Sequence, residues 1–245
     1  MLARRGRFWT AEPLFPKRSS EPAPRPGRGG GRLTLGTSLG PRAPRGLGAG
    51  EMVLVEPPRR GGQARVLRAI GRPEIARDAI EALLLDRGMP RGFKEAVERE
   101  AREVGGRGPG ALADPDAPPE ERGHARRDLR ELPTFTIDPR SARDFDDAIS
   151  AETLPDGGVR VWVHIADVSA YVRPGSLLDR EAGRRSTSVY APGAVEPMLP
   201  RGLSNGACSL VPGEDRLTVT VEMEIYEGEV RRRAFYRSVI RSDER

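Results

Sequence analysis

The chain has 245 residues, 41 Lys and Arg against 36 Asp and Glu, and a formal net charge of +5. No apolar run reaches the roughly 18 residues of a membrane span, and the basic N-terminus lacks the apolar core of a secretory signal, so neither is expected. The single cysteine, Cys208, excludes an internal disulfide, suits a reducing cytoplasm, and reads as a small buried residue rather than a nucleophile.

The charge is unevenly spread. Residues 1–50 hold ten Lys or Arg against two acids, and 17 of the 50 are Gly or Pro. Such a stretch buries little apolar surface, and its charge suits either phosphate contact or simple solubility. Ser20 to Arg32 reads as a linker or long loop. Strand-like pieces flank it at 7–14, 32–37, 52–55 and 63–69, with a turn at 57–62 between the last two. Phe8, Trp9 and Phe15 could form a thin base-stacking platform or a local core.

A helical pattern opens at Pro73, places Ile75, Ala76, Ala79, Ile80, Leu83 and Leu84 on one face, and closes at Gly88. Phe93, Val97 and Ala101 mark a second helix to about Val104, followed by linker chemistry at 105–110 and 114–119. Arg126, Arg127 and Arg130 then either line an approach for a polyanion or form a solvated face.

The next segment, TFTIDPRSARDFDDAIS, holds Asp138, Asp144, Asp146 and Asp147 in a D-x5-D-x-D-D spacing. Crowded carboxylates raise one another's pKa or require a cation. Oxygen-only donors suit Mg²⁺ or Mn²⁺, and a pair of such ions can activate water and steady both oxygens of a phosphodiester displacement. Thr134 to Ile137 predicts a short strand with Asp138 at its tip, held extended by Pro139. In an extended chain Asp144 and Asp146 face one way and Asp147 the other, so only a bend or bulge gathers all four. Arg140 and Arg143 lie among the acids and could neutralise them or grip a phosphate. The plainer readings are a solvated acidic loop or a Ca²⁺ loop, though the mid-loop Gly and closing Glu of an EF-hand are absent.

Strands are predicted at 148–152 and 159–166, the latter placing His164 mid-strand in a structural rather than catalytic position. Asp167 reads as a local cap or pair. A helix is predicted over 177–185 with Arg180, Arg184 and Arg185 exposed, and 217–226 and 230–240 form a hairpin, giving an α+β domain.

TFTIDPRSARDFDDAIS resembles the signature of the RNB catalytic domain of the ribonuclease II/ribonuclease R family. VWVHIADVSAYVRPGSLLDREAGRRSTSVYAPGAVEPMLP and LSNGACSLVPGEDRLTVTVEMEI resemble its following stretches in the same order. The likeness runs from Leu129 to about Arg241. It implies a Mg²⁺-dependent, processive 3′→5′ exoribonuclease acting on single-stranded RNA and releasing nucleoside 5′-monophosphates. Asp138 and Asp147 match the direct metal ligands, Asp146 the acid most needed for turnover, and Asp144 the fourth of the cage. Tyr190 resembles the tyrosine that holds the 3′-terminal nucleotide. The resemblance also implies an N-terminal cold-shock/OB-like β-barrel, degenerate here, over residues 1–72. A helical connector at 73–128 and the first part of the RNB domain at 129–245 would follow. The family's domain extends beyond the equivalent of Arg245 with an arginine beside the scissile phosphate, so the chain reads as a fragment of such an enzyme. A catalytically incompetent RNA-binding protein is the alternative. No obligate protein partner is indicated.

Overall fold

In the computed structural model, residues 1–15, 32–39, 43–58, 63–108, 126–140 and 142–245 are described. They form two compact units: Met1–Arg91 with Tyr190–Glu196, and Gly92–Val189 with Pro197–Arg245. The expected linker at 114–119 and most of the Ser20–Arg32 loop and the 57–62 turn lie outside the described residues.

In the first unit, β1 (Leu2–Arg5), β2 (Phe8–Ala11) and β3 (Leu33–Gly36) pair antiparallel, and β4 (Met52–Glu56) pairs with β5 (Arg65–Gly71). The predicted strand at 7–14 is thus half of a hairpin. Gly6, at a φ of 58°, makes the turn that returns the chain from β1 as β2. Leu2 exchanges backbone hydrogen bonds with Gly50 and Glu51, leading from β1 into the approach to β4. Leu2, Ala11, Leu35, Ala64 and Val66 form the core, with Trp9 packed against it, so Trp9 serves the core while Phe8 stays exposed. The antiparallel strands agree with expectation, but among the described residues they form a three-stranded and a two-stranded sheet rather than a closed barrel.

Helix α1 (Ala76–Asp86) belongs to this unit and starts three residues after Pro73. Residues 73–75 turn first, and the buried Asp78 carboxylate accepts from the Arg72 amide at 3.0 Å. Helix α2 (Glu95–Gly105) belongs to the second unit, with Val97 and Ala101 in its core. The two predicted helices therefore go to different units.

The second unit is built on a five-stranded sheet. Its order is β6 (Arg127–Asp128), β12 (Glu229–Arg241), β11 (Asp215–Tyr226), β8 (Val159–Ala166) and β7 (Asp147–Thr153). All neighbours are antiparallel except the short β6–β12 pair. The β11–β12 hairpin closes Tyr226 on Glu229 through Glu227 and Gly228, both at positive φ, a two-residue turn whose twist suits the strands. Helix α3 (Leu177–Arg185) is capped by Ser176, whose hydroxyl accepts from the Asp179 amide, and buries Leu178 fully. Phe145, Leu178, Leu203, Leu210, Leu217 and Ile240 centre the core. Arg180 and Arg184 are exposed as predicted. Arg185 is not: its guanidinium stacks 3.7 Å from the Phe93 ring centre, pairs with Glu181 and is nearly buried. Strands β9 (Val189–Ala191) and β10 (Ala194–Glu196) form a small hairpin.

Candidate active site

The acidic segment is held between the sheet edge and the core. Residues 134–137 run extended as predicted but join the sheet by single bridges rather than as a strand. The Phe135 amide and carbonyl bond to Ile149 at 3.1 and 2.9 Å, and the Thr136 amide donates to the Glu244 carbonyl. Asp138 follows, and Pro139 accepts from the Ala142 amide in a turn that sends the chain back. Phe145 then plunges into the core, which fixes the return. Asp146 precedes β7, its carbonyl accepting from the Ala166 amide, and Asp147 opens the strand.

Ser209 sets this loop in place. Its hydroxyl donates to the Arg143 carbonyl and accepts from the Phe145 amide, both at 3.0 Å, while the Leu210 amide donates to the Phe145 carbonyl. Ser209 is fully buried. The sequence reading missed it, because the pairing spans more than sixty residues (|i−j| = 64 and 66) and a Ser beside Cys208 carries no local signal.

The loop brings the four carboxylates into each other's field. Asp146 has its pKa raised by desolvation of the carboxyl, although the residue as a whole is exposed, and further by Asp144, Asp147 and Asp138. One oxygen of Asp138, Oδ2, is buried without any hydrogen-bond donor. A buried carboxylate oxygen in that state is costly unless a cation or donor meets it. The donor set is all oxygen, and the crowding and the orphaned oxygen fit a hard divalent cation. However, among the described residues no three His, Cys, Asp or Glu side chains converge closely enough to hold an ion. Arg140 and Arg143 are exposed at the rim of the loop. Tyr190 is 63% exposed on β9 and belongs to the other compact unit.

Several other charged residues serve the structure. Arg126 is buried, its guanidinium meeting the Asp167 carboxylate at 2.5 Å and the carbonyls of Thr218 and Ser238. Neither of its sequence readings, polyanion approach or solvated face, holds. Asp167 bonds locally to the Ser169 hydroxyl as well, and its carboxyl is held below the usual range by Ser169 and Arg126 against the opposing effect of burial. Arg127 stacks 3.8 Å from the Tyr236 ring centre, and Arg130 pairs with Asp128 and Asp215. His164 is fully buried between the Ser150 and Thr220 hydroxyls, and burial lowers its pKa to about 4, consistent with the structural reading. Cys208 is buried with its thiol pushed up to about 12, unsuited to nucleophilic work at neutral pH.

Residues 126–245 match the RNB domain. The chain is 43% identical over 198 residues to ribonuclease R of Thermotoga maritima, covering 80% of this chain and 26% of that protein. It is 40% identical over 222 residues to ribonuclease R of Escherichia coli, covering 87% and 26% respectively. The chain thus spans about a quarter of the length of these relatives. Among solved structures it is similar to Mycoplasma genitalium RNase R in complex with ribose-methylated single-stranded RNA. The TM-score is 0.68 and the identity 28%, over 87% of this chain and 34% of that one. The fold also resembles yeast Ssd1, a pseudonuclease, at a TM-score of 0.61 and 15% identity over all of this chain and 29% of that one. The fold by itself therefore does not carry catalysis. On the sequence and the fold together, the chain belongs to the ribonuclease II/ribonuclease R family, whose shared RNB domain occupies residues 126–245.

Proposed function

We propose that this chain contributes the acidic part of a Mg²⁺-dependent exoribonuclease that hydrolyses single-stranded RNA from its 3′ end to nucleoside 5′-monophosphates. The observation that carries the reading is the crowding of Asp138, Asp144 and Asp147 around Asp146, within a segment that matches a ribonuclease domain. Asp138 and Asp147 would hold the ion directly, with Asp144 and Asp146 completing its surroundings. Mn²⁺ would substitute for Mg²⁺ on the same oxygens. When bound, the cation supplies charge compensation for the phosphodiester displacement. Drawing the carboxylates together would satisfy Asp138 Oδ2 and relieve the repulsion that raises Asp146. Arg140 and Arg143 would meet RNA phosphates, and Tyr190 would stack on the 3′-terminal nucleotide. No helix among the described residues is long and apolar enough to cross a membrane, and the lone buried Cys208 suits a cytoplasmic setting.

The second reading is an RNA-binding protein without turnover. It is favoured by the absence of a converged three-carboxylate cluster among the described residues. One experiment separates the two. Single-stranded RNA labelled at either end is incubated with the chain extended through a complete RNB domain, in Mg²⁺ or EDTA. The exonuclease gives mononucleotide from the 3′ label at once and a shrinking ladder from the 5′ label, and EDTA stops both. Asp146→Asn should lower turnover by about 10²–10³-fold while RNA affinity holds. Binding without cleavage by the wild type would select the second reading, and internal cuts would overturn the exonucleolytic mechanism. Calorimetric titration with Mn²⁺ tests the ligand set separately. Asp138→Asn/Asp147→Asn should lose the wild-type heat, and equal affinity would remove these two ligands.

A further inference from the structure

The residue that grips the acidic loop from the core side is itself held on every side. Leu203–Ala207 form a wide helical turn, closed by the Cys208 amide on the Leu203 carbonyl at 2.9 Å, an i→i−5 bond in place of i→i−4. The turn delivers Ser209 into the interior, where it is fully buried along with Leu203 and Leu210. The Ser209 amide donates to the Gly206 carbonyl at 3.0 Å. Its own carbonyl accepts from Arg216 Nε at 2.7 Å and from the Val211 amide at 2.8 Å. With its backbone fixed in this way, Ser209 presents its hydroxyl to the acidic loop as a stationary point.

That point meets the loop at two places, one on each side of Asp144. The hydroxyl hydrogen goes to the Arg143 carbonyl and a lone pair takes the Phe145 amide, so both ends of Asp144 hang on one oxygen. The Leu210 amide donates to the Phe145 carbonyl, and the Ala166 amide to the Asp146 carbonyl. Alternation along the extended chain places Phe145 in the core and leaves Asp144 and Asp146 out of it. The fixings therefore lie on the Phe145 side and the two carboxylates on the other. Crowded carboxylates repel, and a loop free to relax would spread them. A loop pinned at 143, 145 and 146 cannot do so through its backbone.

We propose, on the reading of these acids as the holders of the cation, that Ser209 is a positioning residue for the divalent ion. Its hydroxyl keeps Asp144 and Asp146 at the spacing the ion requires without touching the ion. A hydroxyl that merely completed two buried hydrogen bonds would affect stability alone. One that spaces carboxylates sets cation affinity as well, because residues that orient metal ligands are worth about 10–100-fold in affinity. The position needs a single small group that donates and accepts at the same atom. Ser and Thr carry one, and Ala does not.

The test is calorimetric titration of the full 245-residue chain with Mn²⁺, paired with hydrogen exchange of the Phe145 amide. Ser209→Ala should lower Mn²⁺ affinity about 10–100-fold and speed exchange of that amide, whose acceptor is gone. Ser209→Thr keeps the hydroxyl and should bring both back toward wild type. The control is Ser176→Ala, which removes a hydroxyl that accepts from one amide, Asp179, at the start of α3. It should lower the melting temperature by about 2–4 °C with Mn²⁺ affinity unchanged. Wild-type affinity in Ser209→Ala, with the Phe145 amide exchanging fast, would overturn the proposal and leave Ser209 a structural residue. So would an equal loss of affinity in Ser176→Ala, since affinity would then follow stability. A Ser209→Thr chain that protects the Phe145 amide yet binds Mn²⁺ as weakly as Ser209→Ala would also overturn it. No Mn²⁺ heat from the wild-type chain would overturn the cation reading together with this one, a result distinct from unchanged affinity in Ser209→Ala.

Discussion

The two faces of the five-stranded sheet reverse the usual division of polar and apolar residues. On one face Thr134, Ser150, His164, Thr220 and Ser238 are buried to within about one per cent of their surface. On the other, Phe135, Ile165 and Phe235 remain in solvent. The buried side is tolerable because every member is paired. Thr134 Oγ1 lies 2.8 Å from Ser150 Oγ, and Ser150 Oγ lies 3.1 Å from His164 Nε2. His164 Nδ1 lies 2.8 Å from Thr220 Oγ1, and Thr220 Oγ1 lies 2.5 Å from Ser238 Oγ. Ser238 also meets Thr218, and the carbonyls of both accept from Arg126, which pairs with Asp167. A satisfied polar row specifies one register of the strands, since sliding a strand by one residue would bury apolar groups against hydroxyls. The row also ties residues 134–137, which lead into Asp138, and β7, which opens on Asp147, to β8.

The largest expected break in this contrast is at the Arg126–Asp167 end. Both side chains are almost fully buried, so removing the cation strands a carboxylate inside the protein. Arg126→Leu leaves Asp167 with the Ser169 hydroxyl and a distant Arg237. Urea unfolding should show a loss of about 3–5 kcal/mol at neutral pH, and a loss under 1 kcal/mol would show that the pair is not desolvated.

The middle of the row should appear as pH dependence. His164 has a folded pKa of about 4 against 6.5 when free, because burial disfavours the imidazolium. The unfolded chain therefore binds the proton first. Stability is full above pH 6.5, falls as pH drops from there toward about 4, and changes no further from this group below that. The total is roughly 3 kcal/mol. Asp167, depressed below its usual 3.8, stays ionised through most of this window, and its contribution is lost only at lower pH. His164→Gln should flatten the unfolding free energy between pH 6.5 and 4.5. An unchanged slope in that variant would assign the effect elsewhere.

The contrast between the faces also marks what was legible in the sequence. The period of two in VRVWVHIA and LTVTVEMEIY predicts β8 and β11 within two residues at each end. Alternation, however, says only that two faces differ and not which is buried, and the usual assumption of polar residues outward fails here. The acidic spacing was legible because all four Asp lie within ten residues. What holds them was not: Ser209, Arg126 and Thr220 act across more than forty residues of sequence. The arginines were the least legible group. A long cation solvated in one place, stacked on Phe93 in another and buried against Asp167 in a third looks the same in sequence.

The smallest expected effect completes the comparison. Phe235 lies on β12, paired with Val221 but mostly in water, so its removal surrenders little burial. Phe235→Ser should change the unfolding free energy by less than about 0.5 kcal/mol, as for exposed positions generally. Thr220→Val, an isosteric change on the buried face, should cost about 1–3 kcal/mol, because His164 Nδ1 loses its partner and Ser238 Oγ keeps only Thr218. The ordering matters more than either value. If Phe235→Ser destabilised the chain as much as Thr220→Val, the apolar face would already be covered in solution. If the order holds, the stability of the sheet rests on its polar row rather than on its apolar face.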